Sequence, residues 1–169
     1  MGCGNGKTAG LIIGRGAELV AVDFSINGLR ACRRSLGLAN LEAVLSDVRF
    51  LPFTCGSFDS VVAYHVLGHL MEEERREAVS EVHRVLRRGG TLLLKVFSVQ
   101  DMRFGQGKEV ERGTFRRGTG IRTHFFEPEE LLALTSGFEE VSLTEEIARK
   151  RYGGEERSRG EWIGTFRRP

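Results

Sequence analysis

Residues 1–23 read MGCGNGKTAGLIIGRGAELVAVD: a run with glycine at every second position, a helical stretch, and a short apolar strand ending in an acid. Alternate glycines let a backbone approach a ligand where any Cβ would block it. In α/β proteins such a loop lies between a strand and a helix, at the carboxyl edge of a parallel sheet. The helix expected after the loop spans residues 5–15, with Leu11 and Ile12 inward and Gly14 and Gly16 as its stop.

Working outward, the same alternation continues. Residues 18–23 (ELVAVD) form the first strand. Ser25 caps a helix that runs to Leu36 and ends at Gly37. Residues 41–47 (LEAVLSD) make a second strand ending in an acid, and residues 58–65 (FDSVVAYH) a third. A long helix over 72–88 places Val79, Val82, Val85 and Leu86 on one face and stops at Gly89-Gly90, before a fourth strand at 91–97. Strands and helices in this order predict a parallel sheet with helices on both faces.

The rhythm breaks at residue 98. Residues 98–124 are polar, with glycine at 105, 107, 113, 118 and 120, and read as a functional loop or lid. Pro128 starts a short helix through Leu134, and residues 141–148 and 162–166 read as two last strands around a charged segment at 149–159. The chain of 169 residues is expected to be one domain, with a ligand-binding half at 1–97 and a more variable half at 98–169.

A formal charge of +2 with scattered arginine pairs gives no reason to expect nucleic acid. No apolar run reaches membrane-spanning length, and the start lacks a signal-peptide pattern. Cys3, Cys32 and Cys55 show neither metal-ligand nor disulfide spacing, which fits a reducing, cytoplasmic setting; no metal site is expected.

Four readings of the glycine loop compete. A nicotinamide fingerprint fits Gly2 and Gly4, but its third glycine is Lys7. A P-loop fits Gly6-Lys7-Thr8, but its opening glycine would be Met1. A purely structural turn is the third. An S-adenosylmethionine site is the fourth, and it accounts for more of the chain. The ribose of that cofactor carries two hydroxyls, which a carboxylate at the next strand end accepts; Asp23 is there. Its adenine carries an amino group, which an acid one strand later accepts; Asp47 is there.

The segments GCGNG, AVDFS, DVRFLPFTCGSFDSVV, HVLGHL and RVLRRGGTLLL resemble the successive motifs of class I S-adenosylmethionine-dependent methyltransferases. More narrowly, they resemble the small type 11 group related to quinone-biosynthesis methyltransferases. Asp47-x-x-x-Leu51-Pro52-Phe53 followed by Ser57-Phe58-Asp59 is the most specific stretch. The resemblance implies a three-layer Rossmann-like sheet, mostly parallel with an antiparallel last strand. It places Gly2, Cys3, Gly4 and Gly6 beside the methionine half of the cofactor, Asp23 on the ribose and Phe24 on one adenine face. Asp47 would take the adenine amine with the Val48 backbone beside it, and Tyr64 and His65 would lie near the sulfonium.

The implied reaction is in-line displacement of the methyl group onto a small-molecule acceptor, with S-adenosylhomocysteine as product. The basic residues of the 98–124 segment suit an anionic acceptor. Where the acceptor must lose a proton, His65, Tyr64 and His124 are the candidates to receive it or to orient the group that carries it. The family's first, central strand, ending in a carboxylate just before the loop, has no counterpart here. The expectation is therefore a natural protein with sequence upstream of Met1. The rival reading is a cofactor-incompetent fold with a binding or structural role.

Overall fold

The computed structural model describes residues 1–13, 16–37, 41–118, 120–152 and 155–169. They form two compact units, Met1–Phe53 and Thr54–Pro169.

In the first unit, the glycine loop leads into helix α1 (Lys7–Ile13), and strand β1 (Leu19–Asp23), helix α2 (Ile26–Leu36) and strand β2 (Leu41–Leu45) then form a β-α-β unit. β1 and β2 pair in parallel, from Leu19 opposite Leu41 to Asp23 opposite Leu45. α2 begins and ends where its caps predict. Ser25 is extended (φ −98°, ψ 113°) and its Oγ accepts the Gly28 N–H at 3.2 Å; Gly37 closes the helix at φ 68°. Ser25→Ala is expected to lower the unfolding free energy by about 1 kcal/mol, read from urea midpoints. An unchanged midpoint would show that the cap contributes nothing.

The core here is Ala9, Ala21, Cys32 and Leu41, with Cys3, Ile13, Leu19 and Leu36 packed on it. Leu11 is a correction: it is 65% exposed. The inward face of α1 is set by Gly6 and Gly10, where a Cβ would come within 3.2 Å of Cys32 and Leu36. Ala9 lies on that side, and Leu11 is about 200° round the helix from it. The expected stop at Gly14 falls outside the described residues.

The second unit holds β3 (Phe58–Tyr64), a 3-10 turn (Leu67–His69), α3 (Glu72–Val85), β4 (Leu86–Phe97), β5 (Lys108–Glu111), β6 (Thr114–Arg116), β7 (Arg122–His124), α4 (Pro128–Leu134), β8 (Glu139–Tyr152) and β9 (Glu155–Arg167). Its main sheet has the order β3-β4-β9-β8. β3 and β4 are parallel; β9 runs antiparallel to β4 and to β8. β9 is thus the one reversed strand of this sheet, as the fold reading requires.

Two boundaries differ from the sequence reading. α3 ends at Val85, not Arg88, because the end of β9 captures the backbone beyond it. Gly89 N–H donates to Arg168 O and Arg168 N–H to Gly90 O, both at 2.8 Å, while the Arg168 guanidinium donates to the carbonyls of Arg84 and Leu86. Residues 98–124 are not a bare loop. β5, β6 and β7 form a three-stranded antiparallel sheet whose strands are three or four residues long. Its core is Phe97, Phe115 and Phe125, with Phe104 edge-on to the last two. Among the described residues no helix is long and apolar enough to cross a membrane.

Candidate functional site

In the first unit the glycine loop takes left-handed backbone at Gly2 (φ 62°), Gly4 (φ 48°) and Gly6 (φ 85°), a region that side chains disfavour. Gly6 is used for packing. Gly4 differs: a Cβ there would meet nothing within 4 Å, so its backbone borders open space. Cys3 turns its side chain to the core. Its N–H donates to Val22 O at 3.1 Å, and burial, together with the neighbouring Cys32 thiol, pushes its own thiol up to about 12. Cys3 therefore offers backbone, not a reactive sulfur.

Asp23 ends β1 and is buried. Its Oδ2 accepts the Gly4 N–H at 2.8 Å and its Oδ1 the Ser25 N–H at 2.9 Å. One carboxylate thus anchors the glycine loop and the entry to α2. Each oxygen keeps a second lone pair, which leaves room for two hydroxyl donors. Phe24 is 82% exposed, an aromatic face without cover.

Asp47 is placed less simply. Its carboxylate holds the Arg49 guanidinium at 2.7–3.1 Å and accepts the Arg49 N–H at 2.9 Å. That hydrogen bonding holds its carboxyl below the usual range. An adenine amine would have to share it with Arg49. Val48 is buried beside it, and Phe50, which sequence reasoning passed over, is exposed under the Arg49 guanidinium at 5.6 Å. The loop, the buried Asp23 and the uncovered Phe24 are chemically suited to the polar and aromatic parts of S-adenosylmethionine.

In the second unit, Tyr64 ends β3 half-buried, opposite Lys95. His65 follows with φ 59°, the one non-glycine residue at positive φ among those described. Its N–H donates to Lys95 O at 2.7 Å, its ring stacks on Phe97 (centroids 4.3 Å, 21°), and its Nε2 lies 3.3 Å from Glu161 Oε1. Lys95 Nζ is 2.7 Å from the other Glu161 oxygen. The Arg103 and Arg159 guanidiniums lie 3.9 and 5.0 Å from the centre of the same Phe97 ring, and both pair with Asp101, at 2.6 and 2.8 Å. Burial pushes the Asp101 carboxyl up, but these arginines outweigh it and hold it below its usual range. Gly160 is required here, since a Cβ would fall 2.3 Å from Ser98 Oγ.

Burial, reinforced by Lys95, Arg159 and Arg103 against the opposing pull of Glu161, drives His65 down to about 4. An unfolded histidine titrates near 6.5, so the unfolded chain binds the extra proton between those values. The stabilisation from keeping this ring neutral is full above pH ~6.5 and is lost as pH falls toward ~4. His65→Asn retains a residue that tolerates left-handed backbone. The stability gap between wild type and His65→Asn should therefore shift against the wild type between pH 7 and 4.5. His83, also lowered by burial, titrates in both proteins and cancels. Parallel urea-midpoint curves would refute the assignment.

His124 is a correction. It is buried, with Nδ1 at 2.7 Å from Thr114 Oγ1 and Nε2 at 2.8 Å from Glu130 Oε2. Both nitrogens are taken, so it holds β6, β7 and α4 together and is not free to meet an acceptor. Residues missed by sequence reasoning are Phe97, Asp101, Arg159 and Glu161, which the β4–β9 register and the turn after β4 assemble. A groove of about 540 Å³ between α3 and α4, lined by Val79, His83, Leu134 and Phe138 among others, contains none of the candidate residues.

A family model described as a methyltransferase domain matches residues 1–94. Over 101 residues the chain is 35% identical to the tRNA (carboxymethyluridine(34)-5-O)-methyltransferase alkbh8 of Xenopus tropicalis, covering 59% of this chain and 15% of that protein. Over 156 residues it is 28% identical to the human tRNA N(3)-cytidine methyltransferase METTL2B, covering 83% of this chain and 41% of that protein. Over 99 residues it is 35% identical to a demethylmenaquinone methyltransferase of Clavibacter sepedonicus, covering 58% and 40%. The chain thus spans less than half the length of these relatives. Among solved structures, a SAM-dependent methyltransferase from Methanosarcina mazei superposes with TM-score 0.81 at 24% identity, covering 99% and 90% of the two chains. The expectation that nucleic acid is excluded as a partner is overturned, because two of these relatives are tRNA methyltransferases.

Proposed function

The chain belongs to the methyltransferase-domain family of S-adenosylmethionine-dependent enzymes, and from that premise we propose that it transfers the cofactor's methyl group to a base of tRNA. The observation that carries the choice of acceptor is the extent of similarity. The match to the cytidine methyltransferase covers 83% of the chain, more than the first 97 residues can supply, whereas the quinone-enzyme match covers 58%.

Bound S-adenosylmethionine supplies a methyl carbon on a sulfonium, already an excellent leaving group. The protein's task is alignment and exclusion of water. In the first unit, Gly2, Cys3, Gly4 and Gly6 offer backbone to the methionine half, and Asp23 accepts the ribose hydroxyls. Phe24 covers adenine, and Asp47 and the Val48 backbone bind its edge. In the second unit, Tyr64 and His65 orient the acceptor. A cytoplasmic location is part of the same reading.

The test is incubation with methyl-labelled S-adenosylmethionine and either unmodified tRNA or demethylmenaquinol. Label recovered in tRNA nucleosides is the expected result. Label in the quinol alone would replace the RNA reading with the small-molecule one. A folded protein that binds no S-adenosylmethionine by calorimetry would remove both.

A further inference from the structure

β8 is the outermost strand of its sheet, and its charges are sorted along its length. Glu139, Glu140, Glu145 and Glu146 come first; Arg149, Lys150 and Arg151 follow, after Ile147 and Ala148. Glu146, Ile147, Ala148, Arg149 and Arg151 are exposed. The strand also outruns its support. β4 pairs with β9 only as far as Glu161, and the turn after β4 continues to Ser158, where Gly160 O and Ser158 O accept the Ser98 and Met102 N–H groups. Farther out, β8 and β9 pair as a two-stranded arm. Such a ribbon is marginally stable in water, and an added strand stabilises it.

Two like-charge pairs lie across this arm on one face of the ribbon. Glu146 is opposite Glu161, and Lys150 is opposite Arg157. Like charges directly opposite each other destabilise a sheet. Glu161 and Arg157 have counter-charges, Lys95 at 2.7 Å and Glu155 at 2.8 Å. Glu146 has none among the described residues.

We propose that β8 pairs antiparallel with β8 of a second copy of this chain, about a two-fold axis at Ala148. This register sets Glu146 opposite Lys150 of the second copy, Glu145 opposite Arg151, Ile147 opposite Arg149 and Ala148 opposite its own counterpart. Symmetry repeats each unlike pair. Every acid in the paired stretch then faces a base, and the Arg149 stem covers Ile147, which is 53% exposed. Parallel pairing in register would set acid on acid and base on base, so the order of charges selects the antiparallel arrangement. Both outer edges are used up, so assembly stops at two. RNA is the less favoured occupant, because across residues 145–159 four glutamates offset five basic residues. The pairing does not depend on the methyltransferase reading.

The test is sedimentation velocity of the whole chain in a concentration series up to roughly 100 µM, since small interfaces are weak ones. Wild type should shift from 18.8 kDa to twice that mass. Glu146→Lys and Lys150→Glu should each weaken the dimer at least about tenfold, because each replaces two attractive pairs by two repulsive ones. Neither should harm folding, since each turns a like-charge pair within the arm into an opposite-charge pair. Mixed in equal amounts, the two variants should form a heterodimer: the two reversed charges face each other, and the other pair is unchanged.

A wild type that stays monomeric across the series would overturn the proposal. So would a dimer that neither substitution weakens, or two variants that remain monomeric when mixed. A monomer whose affinity for tRNA rises in Glu146→Lys would also overturn it and assign the arm to RNA.

Discussion

Arg75→Met is expected to destabilise the second unit by about 3 kcal/mol, the lower end of what removing one partner of a buried ion pair costs. Arg75 lies in α3 and is 2% exposed. Its Nη1 donates to Leu70 O at 2.8 Å and to Glu111 Oε1 at 2.7 Å, and its Nη2 to Glu130 Oε1 at 3.3 Å. Glu111 also accepts the Thr114 hydroxyl, Thr114 bonds His124, and His124 bonds Glu130. The guanidinium therefore closes a ring of polar groups joining α3, the small sheet and α4. Methionine keeps the stem's volume but leaves two carboxylates without their cation. Those carboxylates are partly solvated, which is why the lower figure applies. Arg76→Met is the contrast: its pair with Glu72 is exposed and one helical turn away, worth no more than about 0.5 kcal/mol. Urea-unfolding midpoints that move equally in the two variants would show that the buried ring contributes no more than a surface pair.

What was legible in the sequence was what is decided locally. The caps of α2 are written in Ser25 and Gly37, because a hydroxyl acceptor and a left-handed glycine act on their own backbone. The acid-ended β1 and the direction of β9 followed from apolar runs and the family motifs. The end of α3 was not legible, because Arg168, some eighty residues on, holds the carbonyls that terminate it. The small sheet escaped because strands of three or four residues are too short for a period of two to declare itself. Its polar composition then reads as a loop.

The site divides the same way. Gly4 and Asp23 sit where neighbouring residues put them, and their hydrogen bond joins two motifs already recognised separately. Glu161 carries no local signal: it is one glutamate in a charged stretch until Phe97 is placed opposite it. His124 misled for the opposite reason. A histidine before Phe125-Phe126 in a glycine-rich segment reads as mobile, yet Thr114 and Glu130 occupy both its nitrogens in a buried network, and such networks form only once the chain is folded.

On the proposed reading, in which Asp23 accepts both ribose hydroxyls, Asp23→Ala is expected to weaken binding of S-adenosylhomocysteine about 100-fold or more, each such bond being worth about 1.5–3 kcal/mol. A simple affinity loss would be ambiguous. The same carboxylate also holds the Gly4 and Ser25 amides, so its removal loosens the loop as well as emptying the ribose contact. Varying the ligand separates the two effects. Wild type should bind adenosine about 100-fold more tightly than 2′,3′-dideoxyadenosine, which lacks both hydroxyls, and Asp23→Ala should lose that preference. Loop loosening weakens both ligands alike and leaves their ratio unchanged. A preference that survives in Asp23→Ala would assign the carboxylate to the loop alone and send the ribose to another acceptor.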